Sequence, residues 1–231
     1  MTDLVHAVFR VLHMVGGFLA FAAAPLALLA VKGSHRHILA GRFFTIGMGM
    51  AAASAILLSV MTSQLFLLLL GLLSLFFIGT GYLAPRIGRG SRTGYRWDRV
   101  LTTLGGMTSL GLLGDGLVHS TLMAPFPTGL IFGGLGLWIA LAHWRWRGPA
   151  DPFGWRIEHL TSLMAAYTVA WCIIFALYVR ILPRPAQWLV PAVLGIPAIM
   201  WARGRFGPRP PRAAREPRAG ALTGQTSLRN L

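Results

Sequence analysis

Apolar residues in this chain do not alternate with polar ones. They fall in long runs, and the polar residues collect in short connections between them. Val11 to Val31 contains no charged residue at all. A hydrocarbon core about 30 Å thick takes about 20 apolar residues in helical form, so this run is long enough to cross a bilayer. Further runs follow, and the spans read as Leu4 to Val31, Phe43 to Met61, Leu65 to Ala84, Val100 to His119, Thr128 to Ala142, His159 to Leu182 and Trp188 to Trp201. The pattern predicts an all-α fold, a polytopic transmembrane bundle of about seven helices. Only Thr62, Ser63 and Gln64 interrupt the second and third spans. A tight helical hairpin is expected there, because one continuous helix would overrun the core. Pro125 and Pro127 mark a turn before the fifth span. Ala22, Ala23 and Ala24 resemble a leader cleavage site, but Pro25 would follow the cut and the apolar run continues, so the first helix reads as retained.

Composition adds to this picture without changing it. Hydrophobic residues make up 55% and charged residues 12% of the 231, which leaves no room for a water-soluble domain. A formal net charge of +15 would point to nucleic acid in a soluble protein. Here the basic residues sit between apolar runs, so the expected partners are the lipid bilayer and its anionic lipids, with no nucleic acid. All of the 21 Lys and Arg except Arg10, Arg180 and Arg184 fall on alternate connections or in the tail. The positive-inside rule then places the N-terminus outside and the C-terminus in the cytoplasm, as a multi-pass protein of the cytoplasmic (inner) membrane. Trp97, Trp144, Trp146, Trp155 and Trp201 fall at the cytoplasmic interface, where indoles anchor helices. The organisation expected is a bundle over 1–203 and a disordered basic tail over 204–231, whose Pro, Gly and Arg offer no apolar face to bury. Glycines crowd the fourth and fifth spans, with a G-x-x-x-G at Gly129 and Gly133 that predicts close helix approach.

Chemistry has to rest on polar groups held at membrane depth, where they are costly and face a bundle interior. His6, Arg10 and His13 share one face of the first helix, and Asp115 and His119 are four residues apart near the outer end of the fourth. Asp115 is expected to pair with Arg10, His13 or His119, and His13 and His119 are candidates to meet across the bundle. On the cytoplasmic side stand His35, His37, His143 and His159, with Asp151, Glu158 and neighbouring arginines. For His35 and His143 a solvated interfacial ring is the expectation. The single Cys172 lies inside a span and reads as a packing residue.

Lys32-Gly33, then His37 with Ala40-Gly41-Arg42 and a helix carrying Met48 and Met50, together with Leu12-His13 and its glycines and the later His159 and Met164, make a recognisable set. In these residues the chain resembles a family of uncharacterised bacterial integral membrane proteins (a domain of unknown function) with a His-x-x-x-Gly-Arg loop after the first helix. The resemblance covers residues 1 to about 62 and, more weakly, 156 to 180. It implies membrane location and directs attention to His37, Gly41, Arg42 and His159, and it names no reaction.

Three readings follow. The first is a non-enzymatic accessory or transport-related protein in which Arg10, Asp115 and the histidines form a buried polar network. The second is a haem-binding (haem b) or quinone-linked redox protein using His13 with His119 and His37 with His159 as paired imidazoles near opposite faces. The third is a zinc-dependent membrane hydrolase built on Asp115-x-x-x-His119, which lacks the late H-x-x-x-H pair such enzymes need. No metal site is expected.

Overall fold

The computed structural model describes residues 2–120, 128–146 and 154–206, without the side chains of Thr2, His119, Ser120, Arg184 and Pro185. It is all-helical over these residues, in the order α1 (Thr2–Leu29), α2 (His35–Met61), α3 (Leu65–Ile87), α4 (Arg92–Ser120), α5 (Thr128–Arg145), α6 (Gly154–Tyr178) and α7 (Arg184–Phe206). The expected hairpin at Thr62–Gln64 is present, with Ser63 at φ 52 turning the chain. The expected turn near Pro125 and Pro127, Asp151 and the tail beyond Phe206 lie outside the described residues.

Most helices begin earlier than their hydropathy predicts, α2 and α4 by the widest margin, eight residues each. α2 starts at His35 instead of Phe43, because Gly33 (φ 81) turns the chain and the Ser34 side chain caps the helix by accepting from the His37 N–H. His37 is therefore in the first turn of a helix and not in a loop. α4 starts at Arg92 and not Val100, with Ser91 Oγ accepting from the Gly94 N–H at 3.1 Å. In both cases the opening turns are polar, and a hydropathy run misses them.

α1, α2, α3 and α6 are each long and apolar enough to cross a membrane. α3 is central, packing against α2, α4 and α6, while α1 lies along α2, α5 along α4 and α7 along α6. Close approach comes from small residues. A Cβ on Gly47 would stand 2.7 Å from the Gly16 carbonyl of α1, and one on Gly133 would stand 2.7 Å from the Leu113 nitrogen of α4. The surface is apolar, with Phe18, Leu29, Ile46, Met107 and Leu117 all largely exposed. Hydroxyls fill the inside. Ser54, Ser74, Thr80, Thr102 and Ser109 are buried and donate to the carbonyl four residues earlier, so each polar group is satisfied within its own helix.

Candidate functional site

Two polar clusters sit at the end of the bundle where the α1–α2 and α3–α4 connections lie. The first grows from helix ends that lack donors. α1 stops at Leu29, so the carbonyls of its last turn have no partners within the helix. Lys32 Nζ donates to Leu28 O at 2.6 Å and Ala27 O at 3.2 Å, and His37 Nδ1 lies 2.9 Å from Ala27 O. In α3, Pro85 has no N–H to give to the carbonyl of Gly81 four residues before it. His159 of α6 fills that vacancy, its Nδ1 lying 2.7 Å from Gly81 O. A carbonyl only accepts, so each ring donates from Nδ1 and leaves Nε2 without a hydrogen-bond partner among the described residues.

These two rings meet. The centroids of His37 and His159 are 6.4 Å apart with planes at 72°. Both are half-buried. Two imidazoles whose Nδ1–H groups are fixed by backbone carbonyls have the orientation that ligand histidines commonly show. At this separation the two rings are close enough that one metal centre could be held by both.

The second cluster was not foreseen. His143, at the end of α5, is fully buried and not solvated, which corrects the expectation for it. Its Nδ1 is 2.6 Å from Glu158 Oε2 of α6, and its Nε2 is 2.8 Å from Asp98 Oδ1 of α4. Asp98 is 0% and Glu158 8% exposed. All three residues stand one or two positions outside the predicted spans of their helices. Burial disfavours the imidazolium, but the hydrogen bonds to Asp98 and Glu158 and the attraction of their charges outweigh it and raise its pKa to about 9. Next in sequence, Arg99 donates to the carbonyls of Trp144, at 2.6 Å, and Trp146, capping the end of α5. Trp146 is buried against Ala84 and Ile87 with Trp155 beside it, so it is a core residue and not an interfacial anchor. Trp97, Trp144 and Trp201 are exposed as expected of anchors. The sequence signal for this cluster was Asp98 itself, a single acid among Arg86, Arg89, Arg92, Arg96 and Arg99. His35 is exposed.

At the opposite end Arg10 donates to His6 Nδ1 at 3.3 Å, and His13 Nδ1 lies 2.9 Å from Ala51 O of α2. His13 thus ties α1 to α2. Asp115 is half-buried in α4, whose packed neighbours are α3 and α5. The helices carrying His13 and His119 share no packed face, and the His119 side chain lies outside the described residues. Among the described residues no group of three or more His, Cys, Asp and Glu is placed to hold a metal ion. Gly41 and Arg42 follow His37 on α2, with Arg42 at the surface. Compared with protein-family models, with curated proteins and with solved structures, the chain matches none.

Proposed function

We propose that this integral membrane protein is a non-enzymatic redox accessory that holds haem b between His37 and His159. The single observation behind the reading is the pairing of two imidazoles from α2 and α6, 6.4 Å apart, each with Nδ1–H spent on a backbone carbonyl and Nε2 available. A bare ion bound by two side chains would be under-coordinated, whereas a haem, which brings most of its own ligands, could be held by His37 and His159 alone. When bound, haem would supply one-electron chemistry. The chain's own part is to fix ring orientation through Ala27 O and Gly81 O and to surround the site with apolar helices. Zinc hydrolysis is less well supported, since it wants three protein ligands and an open position.

The proposal also takes the N-terminus as outside, which puts both clusters at the cytoplasmic face, and takes α4, α5 and α7 as completing seven spans. Kinship with the uncharacterised bacterial membrane family rests on Lys32-Gly33, His37, Gly41-Arg42 and His159, two of which are the paired rings.

The test is a visible spectrum of detergent-purified protein from haem-supplemented cells, oxidised and then reduced with dithionite. A reducible Soret and α band is expected, lost in His37→Ala and in His159→Ala and kept in His13→Ala. No haem in the wild type, or bands indifferent to both substitutions, would overturn the reading. A second reading, an accessory or proton-linked transport protein, is favoured by the Asp98–His143–Glu158 cluster, because ionisable groups buried together next to membrane spans can serve ion or proton pathways. It would take precedence on that outcome.

A further inference from the structure

Beside the paired histidines, and independent of any cofactor there, α2 and α3 enclose an open cleft of about 390 Å³. Its α2 wall is Arg42, Thr45, Ile46, Gly49 and Met50, and its α3 wall is Tyr82 and Arg86. The α2 positions follow i, i+3, i+4, i+7 and i+8, so they form one stripe that runs from a basic end into the apolar part of the helix. Gly49 opens the floor, since a Cβ there would meet nothing within 4 Å.

The two arginines are prepared differently. Arg86 is held against α3, with Nη2 donating to the Tyr82 hydroxyl at 2.6 Å and the guanidinium 3.9 Å from the centre of the Tyr82 ring. Arg42 is exposed and makes neither a hydrogen bond nor an ion pair among the described residues. The protein has few acids to offer either of them. Among the described residues, Asp98 and Glu158 are committed to His143, Asp115 stands toward the other end of α4, and Asp3 opens α1. No carboxylate among the described residues lines the cleft, so its two positive charges suit an anionic ligand.

We infer that the cleft is a binding site for one anionic phospholipid, its phosphate between Arg42 and Arg86 and an acyl chain along Ile46, Gly49 and Met50. Arginine pairs suit phosphate through their planar donor forks, while the Thr45 hydroxyl between them and the apolar floor is spent on the Gly41 carbonyl at 2.7 Å. A free phosphate would use the basic end and leave the apolar stripe idle. An acyl chain uses both, and that commits the site to lipid.

The experiment is native mass spectrometry of the full-length protein from mixed micelles containing equimolar phosphatidylglycerol and phosphatidylcholine. Wild type should retain one phosphatidylglycerol in preference to phosphatidylcholine. Arg42→Gln or Arg86→Gln should each weaken retention about fivefold, and the double variant about 30-fold. Gly49→Phe, which fills the floor and leaves every charge in place, including those of the tail, should abolish the preference. Arg42 is a surface residue, so the Arg42→Gln arm reads binding and not folding, with circular dichroism as the check. Preference that survives the double variant, or survives Gly49→Phe, would overturn the inference, as would displacement of the lipid by excess inorganic phosphate.

Discussion

With Asp98 on one nitrogen of His143 and Glu158 on the other, the charge of that ring is what allows two carboxylates to be buried side by side. Removing it leaves them facing one another without compensation, and breaking a buried pair in this way costs about 3–5 kcal/mol. His143→Leu should therefore unfold at markedly lower temperature in detergent, and Asp98→Asn should have a smaller effect because the amide still accepts from Nε2–H. The pH dependence follows from the ring's shift from 6.5 to about 9. A raised folded-state pKa contributes stability that is complete below about 6.5 and is lost as pH rises through about 9, on the order of 3 kcal/mol in all. Tm measured from neutral to alkaline pH should fall in the wild type and be nearly flat over the same window in His143→Leu. Equal slopes in the two proteins would mean that the ring is neutral when folded. Nothing at the level of single residues announces this arrangement in the sequence. His143 looks like any interfacial histidine until α4 and α6 close over it.

At the level of elements, the helices were legible and their polar beginnings were not. Hydropathy finds the apolar middle of α2 and α4, and it passes over His35–Arg42 and Arg92–Arg99 because those turns are rich in polar residues while remaining hydrogen-bonded as helix. The pairing of His37 with His159 depends on α3 and α6 crossing at Gly81, which spacing along the chain does not encode. One part of it was readable all the same. Pro85 leaves the Gly81 carbonyl without a helical donor, and such a vacancy at membrane depth calls for a side chain to fill it. This gives a prediction for the element. Pro85→Ala restores the N–H that Gly81 O lacks, so α3 should hold its own bond and release His159 Nδ1. Helicity and thermal stability should stay level or rise, while haem affinity followed by absorbance titration should fall about 10–100-fold, the usual cost of losing an outer-shell partner. Unchanged affinity would mean that the Gly81 bond does not orient the ring.

On the scale of the whole molecule, polarity is sorted along the bundle as well as across it. Large apolar side chains cover the outside and hydroxyls lie within, the arrangement suited to a lipid solvent. Along the axis, Lys32, Arg42, Arg86, Arg99, the buried His143 cluster and the paired histidines all gather at the end where α1 meets α2 and α3 meets α4. The hairpin Thr62–Gln64 itself carries no charge, and its end of the bundle holds far fewer basic residues, Arg10 and Arg180 among them. That asymmetry ties the function proposed for the paired rings and the lipid cleft to one orientation, because an anionic headgroup site is best supplied by the cytoplasmic leaflet. Two exposed positions report it directly, Ser63 at the hairpin and Arg89 between α3 and α4. The native Cys172 is buried and should stay silent toward an aqueous thiol reagent. In intact cells, a membrane-impermeant maleimide should label Ser63→Cys, and Arg89→Cys should be labelled only after permeabilisation. The opposite pattern would turn the molecule over, place the arginine-rich end outside, and remove the leaflet argument for the cleft while leaving the bundle and its histidine pair intact.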